Sequence, residues 1–401
     1  MQRTRRIALA KRVLAHRAAG NTTDLAPTSY QVDPHVYFDS DHFQRELELI
    51  FRRQPLLACM SCDVKEAGDF LTTSLVDVPV IIVRGEDGKV RAFRNSCRHR
   101  GALVADGRGH ARSFSCPFHR WTYRTDGTLK ATTHQQGFCD LHPEQSGLAE
   151  LACGEAAGLV FVRLSGTEDT LDATAWLGGL AEEFAGFDYP RYHPLPRPVT
   201  PAEANWKLLF DGNCENYHVS HIHRKTIHPL IDSNNSTFDE FGVHGLAVYP
   251  RKTIGQLAET PEEQWDFLPH ASCTYLIFPN TVLINMVDHV EMFQIYPETP
   301  GTCRIHTTLY TPTSLDDERS ERHWRRQAEA LELTVRTEDL PISEGIQRAL
   351  KPGAPLLTYG RNEPALIHYH RALARVMAQG SAQTDDCQAG AGVGGRPSLM
   401  A

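Results

Sequence analysis

No stretch of the chain approaches the run of about 20 apolar residues that a bilayer-crossing helix needs. Hydrophobic residues make up 41%, charged residues 22% and aromatics 8% of the 401 residues. These values are near those of water-soluble domains, so no association with a membrane is expected. Positive charge is scarce as well: 41 Lys and Arg face 49 Asp and Glu, a net charge of −8, which argues against nucleic acid as a partner. Cysteine is not dense. The ten, at 59, 62, 97, 116, 139, 153, 214, 273, 303 and 387, are scattered through a long chain, which fits reduced thiols and a cytoplasmic location better than a disulfide scaffold. Internal repeats are missing, and so is a usable nicotinamide or flavin motif. Gly390 to Gly395 formally fits GxGxxG, but only a short tail beginning Arg396-Pro397 follows, with no helix to complete a dinucleotide site. Any redox chemistry must therefore draw its electrons from another protein.

The length corresponds to roughly two or three domains. Residues 1–17 hold Arg3, Arg5, Arg6, Lys11, Arg12 and Arg17 with no acid before Asp24. A transit peptide has this texture, but a basic amphipathic surface helix with a stripe of Ile7, Leu9, Val13 and Leu14 is the preferred reading. From Gly68 to Leu164, short β-type runs alternate with turn residues, and Asp87-Gly88 and Asp126-Gly127 predict hairpins. Helical patterning follows over 171–187, 202–223 and 316–350, the last interrupted near Pro341, while Cys273–Pro297 and Thr302–Thr311 alternate like strands. The predicted class is α+β. Its parts are a segment 1–44 packing on the second domain, an all-β domain 45–165, a helix-and-sheet domain 166–379 and a disordered tail 380–401.

Two constellations carry chemistry. Cys97-Arg98-His99 and Cys116-Pro117-Phe118-His119, each in a predicted hairpin loop, bring two thiolates and two imidazoles together. That donor set suits tetrahedral zinc or a two-iron, two-sulfur cluster in which histidines replace two cysteines on one iron. Mixed zinc modules commonly use wider spacings, whereas Cys-x-His with Cys-x2-His, flanked by Trp121, Tyr123, Asp126 and Gly127, closely resembles the Rieske motif. Arg120 departs from it, standing where that family often has Gly. Cys59 and Cys62 form a further CxxC but have no second pair, and read as incidental thiols.

The second constellation is Asp211 to His223, with Glu215, His218, His221 and His223. Imidazole with carboxylate is the ligand set of non-haem iron(II). On a regular helix Glu215 and His218 share a face and His221 would be the natural partner of His218, with His223 about 140° around. Spacing does not choose between them.

Glu-x-Tyr-His-x4-His after Asn205-Trp206-Lys207, about a hundred residues beyond a Rieske motif, resembles the catalytic α subunit of Rieske non-haem iron oxygenases, the aromatic-ring-hydroxylating dioxygenase family. The resemblance spans roughly 35–378, including Glu338-Asp339, Glu344, Gln347, Gly360 to Glu363 and His368 to His370. It implies an N-terminal all-β Rieske domain and a helix-grip-like antiparallel catalytic domain. It further implies a [2Fe–2S] cluster on Cys97, His99, Cys116 and His119, and a mononuclear Fe(II) on His218, His223 and Asp339, with His221 in a supporting or packing role. A head-to-tail homotrimer is implied, with or without a β subunit, in which Glu215 links a neighbour's His119 to the local His218. The expected function is that of a terminal oxygenase. Electrons from NAD(P)H arrive through a separate reductase, with or without a ferredoxin, and O2 is used to hydroxylate or demethylate a small organic substrate. That substrate is an aromatic acid or ring, or a quaternary ammonium compound. Residues Cys273 to Asp288 and Phe293 are expected at the pocket, and Tyr275, Phe278, Phe293 and Tyr296 are the candidates for an aromatic cage. The alternatives are a Rieske electron carrier without mononuclear iron and a zinc-bound structural or regulatory protein.

Overall fold

Two antiparallel sheets organise residues 1–166 and 170–390, those that the computed structural model describes. The first has seven strands in the order Leu56–Met60, Leu159–Arg163, Glu150–Ala156, Val90–Arg94, Val78–Arg84, Asp69–Leu75 and Arg108–His110. A three-stranded sheet, Ser113–Ser115, Thr122–Arg124 and Leu129–Ala131, is set against it. Both Asp-Gly pairs make hairpin turns. At Gly127 the backbone is left-handed (φ +83°) and an added Cβ would lie 2.3 Å from the Phe93 ring, so only glycine fits. Ile81, Val83, Phe93, Phe114, Trp121 and Tyr123 form the small core beneath this subdomain, and Cys97 and Cys116 are buried in it.

The second sheet runs His193–Pro196, Thr302–Thr311, Val290–Thr299, Thr281–Asn285, Ala271–Ile277, His244–Pro250 and Thr237–Phe241, with Thr200–Ala202 also paired to Thr302–Thr311. Side chains of a strand alternate between its two faces. In Ala271–Ile277, Cys273, Tyr275 and Ile277 join one buried cluster while Leu276 joins the other. One face packs on the helices Trp206–Asp211, Leu340–Ala349 and Pro364–Gly390. The opposite face is covered by the helix Arg3–Ala18, two short helices near residue 180, and Leu57, Met60, Leu159 and Phe161 of the first sheet. Both faces are therefore dry.

The helix Arg3–Ala18 buries Leu9, Ala10 and Val13 completely. Its basic residues are answered by acids of the second domain: Arg5 by Glu183 (3.0 Å) and Asp239 (2.9 Å), Arg12 by Asp239 (2.8 Å), and Arg17 by Asp232. This segment is a packed element rather than a free cationic surface.

Three helical expectations are corrected. The helix over 171–187 is two, Ala173–Leu177 and Leu180–Phe184, because Gly178 turns left-handed (φ +52°) between them. The helix over 202–223 is a strand end, a six-residue helix Trp206–Asp211, a turn, and one turn of helix, Val219–Ile222. The last helix continues to Gly390 where a tail was read from 380, since Ala and Gln are good helix formers. Residues 391–401, with most of the GxGxxG match, lie outside the described residues. Among the described residues no helix is long and apolar enough to cross a membrane.

The centre of the larger core holds an ion pair. Lys207 donates from Nζ to both oxygens of Glu46, at 2.7 and 2.9 Å, and the two side chains are only 1% and 2% exposed. Trp206 Nε1 donates to the same carboxylate at 3.1 Å, and the ammonium lies 5.1 Å from the Trp206 ring and 5.5 Å from that of Tyr37. Burial works against the Glu46 carboxylate, but Lys207 and His42 outweigh it and hold its pKa below the usual value. Replacing Lys207 with Met strands that charge, and a loss of about 3–5 kcal/mol of stability is expected. Thermal unfolding of the variant checks it, and a melting point near that of the parent would show that Glu46 finds another partner.

His244 gives a pH dependence. Its Nδ1 accepts from Phe278 N (3.1 Å) and its Nε2 reaches Trp176 O (3.0 Å), a pattern only the neutral ring satisfies. Burial pushes its pKa down to about 4 from 6.5. Between those values the unfolded chain binds the extra proton, so stability is fully present above about pH 6.5 and falls as the pH drops toward 4, by roughly 3 kcal/mol. The melting point of His244→Gln should fall less between pH 7 and pH 4.5 than that of the parent. Parallel curves would show that His244 does not carry the effect.

Candidate metal centres

The first centre is built from two loops. After Val90–Arg94, the Asn95 side chain ties the Cys97–His99 loop to its exit by donating to Ala105 O (2.8 Å) and accepting from Val104 N (2.9 Å). The chain closes again at Gly101, whose N–H donates to Cys97 O (2.9 Å). Between Ser113–Ser115 and Thr122–Arg124, Cys116 N donates to Trp121 O (2.8 Å) and Arg120 N to Cys116 O (3.0 Å). Arg120 holds φ +59° there. A left-handed residue is needed at that corner, so glycine would be the unstrained choice and the arginine carries roughly 1–2 kcal/mol of backbone cost.

The two loops bring the four predicted donors together. The His99 and His119 ring centroids are 4.7 Å apart, Trp121 stacks on His99 at 5.0 Å, and the Cys97 and Cys116 thiols are buried and unbridged. Tyr123 OH sits 3.2 Å from Cys97 Sγ and accepts from Arg98 N (3.0 Å). The Nδ1 atoms of His99 and His119 are both buried, with no hydrogen-bond partner among the described residues. A buried polar atom left unpaired is costly, and a metal on each Nδ1 removes the cost. The donors fit an iron–sulfur cluster better than a lone zinc ion. Ligands of one tetrahedral zinc lie roughly 3.5 Å apart, yet among the described residues the only three such donors within 4.8 Å of one another belong to the second centre.

That second centre is His218, His223 and Asp339. The short helix Val219–Ile222 begins directly after His218 and ends at His223. Helical hydrogen bonds run through the gap, from Ile222 N to His218 O (3.0 Å) and from His223 N to Val219 O (3.2 Å), so an offset of about 140° stays in the backbone and it is the side chains that converge, with rings 5.3 Å apart. Asp339 comes from the far side of the sequence, at the end of a π-helical stretch, Val335–Asp339, that joins the helices Glu318–Thr334 and Leu340–Ala349. Such bulges recur at functional sites because they re-aim a side chain without ending the helix.

Each imidazole has one nitrogen occupied. Glu215 accepts from His218 Nδ1 and from the backbone N–H groups of Tyr217 (2.7 Å) and His218 (3.2 Å). Glu338 holds His223 Nδ1 at 2.6 Å and also accepts from Thr226 Oγ1 at 2.6 Å. Nε2 of each ring is left to face Asp339, which lies 3.1 Å from His223 Nε2. Burial pulls the His223 pKa down, but Asp339 and then Glu338 outweigh it and raise it above the usual value. A cation on Nε2 would take the proton's place. Two imidazoles and one carboxylate, with Asp339 35% exposed and His223 only 3%, make a donor face open on one side.

His221 stands apart from the group. Its side chain is exposed and makes no hydrogen bond among the described residues, so the supporting role expected of it is not seen. Glu338 is the residue that sequence reasoning passed over. Adjacency to Asp339 was visible, but only the π-helical turn aims both neighbours at one imidazole. Glu363 and His370, noted only as texture, are structural: Glu363 accepts from Tyr217 OH (2.8 Å), and His370 Nε2 reaches the buried side of Asp211 (3.0 Å) beside Tyr37 and Tyr359. The four-aromatic cage is not formed. Tyr275 points through the sheet to Phe184 (4.6 Å), and Tyr296 stands beside His306 (5.0 Å) and Gln294, whose amide reaches Leu57 O of the first sheet, whereas Phe278 and Phe293 lie on the helix side.

Comparison with known proteins agrees with this layout. Residues 54–146 match the Rieske [2Fe-2S] domain, and residues 183–379 match the ring hydroxylating alpha subunit (catalytic domain). The chloroplastic choline monooxygenase of Spinacia oleracea is 27% identical over 352 residues, 86% of this chain and 76% of that protein. The glycine betaine monooxygenase oxygenase subunit of Pseudomonas aeruginosa is 30% identical over 210 residues, 52% of this chain and 48% of its own length. Among solved structures, the quaternary ammonium Rieske monooxygenase CntA with L-carnitine superposes with a TM-score of 0.72 at 22% identity, covering 88% of this chain and 96% of that one. Naphthalene 1,2-dioxygenase with indole gives 0.68 at 17%, covering 90% and 96%.

Glu338→Gln should weaken the affinity of the second centre for Fe(II) by about 10–100-fold, because the imidazole loses the carboxylate that fixes its tautomer. Iron titration of metal-stripped protein measures this, and an unchanged affinity would reduce Glu338 to a surface contact.

Proposed function

We propose residue roles, a substrate class and an assembly for this chain from the premise that it belongs to the Rieske non-haem iron oxygenases, as a catalytic α subunit. It is the terminal oxygenase component, a mono- or dioxygenase that receives electrons from NAD(P)H through a partner reductase and uses O2 on a small organic substrate. Its cofactors are a Rieske [2Fe–2S] cluster and a mononuclear iron. When bound, the cluster supplies single electrons and the iron an open coordination face for dioxygen and substrate.

Cys97, Cys116 and the Nδ1 atoms of His99 and His119 hold the cluster; His218, His223 and Asp339 hold the iron. The observation that carries the second assignment is the approach of these three side chains to within 4.8 Å while Glu215 and Glu338 occupy the outward nitrogens. Glu215 keeps His218 in one tautomer and is the local end of the electron route. With Nδ1 turned to the cluster, Nε2 of His119 is the atom left for a neighbour. A head-to-tail homotrimer, with or without a β subunit, would pair it with the next subunit's Glu215, and one solved relative is described as transferring electrons between subunits. The partner is a separate reductase, with or without a ferredoxin between it and the cluster. The reading divides the chain near residue 165 and places it in the cytoplasm, a reducing compartment that suits the nine free cysteines among the described residues.

The substrate proposed is a quaternary ammonium compound, oxidised at a carbon attached to nitrogen. Support comes from the choline and glycine betaine monooxygenases among the relatives and from CntA among the structures.

Anaerobically purified protein should contain about three irons and two acid-labile sulfides per chain. His218→Ala should lose one iron with the cluster spectrum intact. Glu215→Gln should keep both metals and lose about 10–100-fold in turnover; normal turnover would refute its place in the route. A panel of quaternary ammonium compounds and aromatic acids, scored by reductant consumption coupled to product, decides the substrate class. Turnover of aromatic acids alone would move the reading to ring hydroxylation.

A further inference from the structure

Between Asn95 and Ala131, the segment that carries all four donors of the first centre, seven Arg and Lys stand against two Asp, a charge of +5. The rest of the chain then holds 34 Arg and Lys against 47 Asp and Glu, or −13. Arg98, Arg100 and Arg120 each adjoin a donor histidine in sequence. The exposed surface of this segment has two parts. At the tip, Phe118 is 56% exposed, its ring 3.8 Å from that of His119 and 5.3 Å from the Arg100 guanidinium. That apolar tip is where the reading above seats the next subunit.

The other part is the outer face of the three-stranded sheet. On Thr122–Arg124 the Tyr123 ring turns into the core, so Thr122 and Arg124 face outward, with Ser115 and Ser113 opposite them. The hydroxyls of Ser115 and Thr122 meet at 2.9 Å, and Thr122 Oγ1 also lies 3.1 Å from Arg120 O, which sets Arg120 at the edge of this face beside His119. Lys130 is exposed on the neighbouring strand, and Arg112 just before Ser113. None of Arg112, Arg120, Arg124 and Lys130 makes an ion pair among the described residues. The acid of the adjoining turn, Asp126, is occupied by Thr128 N (2.9 Å) and Thr128 Oγ1 (2.6 Å). Arg120 keeps its left-handed backbone where glycine would be unstrained, and such strain persists where the side chain is put to use.

Resting on the oxygenase reading above, we infer that this face docks an acidic electron-carrier protein, the iron–sulfur partner that reduces the cluster. One electron passes from the partner's reduced cluster, which is oxidised, to the oxidised cluster of this chain, which is reduced, and no bond is made or broken. Three features favour that occupant over a second copy of the chain. The face is built of hydroxyls and cations, whereas permanent subunit contacts are apolar and electron-transfer encounters are small and polar. The remainder of the chain repels an acidic protein, so attraction is concentrated on this segment and its field steers the approach. Arg120 joins the face to the loop that holds the cluster, while His119 Nε2 is left for the exit. Entry and exit thus use different sides of one loop.

The test follows reduction of the oxidised holoenzyme by a reduced plant-type [2Fe–2S] ferredoxin, an acidic protein whose cluster has the lower potential. Stopped-flow absorbance gives the rate, and binding of the oxidised ferredoxin is measured beside it. Between about 0.05 and 0.5 M salt, rate and affinity of the parent should each fall about 10-fold. Arg124→Glu combined with Lys130→Glu should slow the low-salt reaction about 10–100-fold and remove most of the salt dependence. Arg120→Gly should melt no lower than the parent, because glycine relieves the strain, yet be reduced several-fold more slowly, a split that a merely structural arginine does not give. Dithionite should reduce the cluster fully in every protein, and sedimentation should give one assembly mass throughout. Variants reduced as fast as the parent, or a rate that ignores salt, overturn the proposal and leave the oxygenase reading standing. Loss of assembly mass in the double variant overturns it as well and assigns the face to a second copy. So does a ferredoxin that fails to reduce a cluster dithionite can reduce. A preparation that dithionite does not bleach overturns the proposal and the oxygenase reading together.

Discussion

A buried ammonium decides where the catalytic half of the molecule begins. Lys207 is enclosed on all sides, and its one strong compensation is the Glu46 carboxylate, which comes from a helix 161 residues earlier and is shared with Trp206. Desolvating two charges is tolerated only when the geometry between them is fixed. The helix Trp206–Asp211 is consequently held at its first turn, and Asn205 caps it while donating to Tyr37 O and Pro300 O. Everything downstream, from Asp211 with His370 and the two tyrosines to the turn that delivers His218, starts from that fixed point. Tyr249 adds a second anchor by donating to Asn213 O (2.8 Å).

The two candidate centres use the same side chain in opposite senses. At the first, the buried nitrogen without a partner is Nδ1, close to the backbone, so short loops bring the imidazoles in and aromatic rings, Trp121 and Phe138, fix the plane of His99. At the second, Nδ1 is taken by a carboxylate and Nε2 is extended. The ring tautomer is chosen there by charge rather than by stacking. A loop site braced by aromatic neighbours is stiff, as suits electron transfer with little rearrangement. The second, one-third open at Asp339, has room for exchange.

Much of this was legible in the sequence. The Cys-x-His and Cys-x2-His pairs, the strands between Cys273 and Thr311, the interruption near Pro341 and the acid at 339 all follow from spacing, alternation and resemblance. What could not be read had physical causes. Gly178 breaks the helical pattern through its φ of +52°, although Gly179 beside it is helical. The choice between His221 and His223 depended on how two side chains reach around a single helical turn, which no periodicity encodes. The aromatic quartet failed because alternation assigns faces only once the register of the strand is known, and Tyr275 fell on the far face. Glu338 was hidden by its neighbour, since two adjacent acids on an ordinary helix point about 100° apart.

That last point turns on the π-helical turn at Val335–Asp339. Like a dislocation in a screw thread, it lets the same helical run present two different pitches to its surroundings: upstream, Leu331 and Val335 follow the wall of a cavity, and downstream Leu340 is buried in the core. One extra residue of backbone is stored at the junction. The phase of the surface helix Leu340–Ala349 is therefore geared to the metal-facing acid, and neither can rotate without dragging the other through the defect.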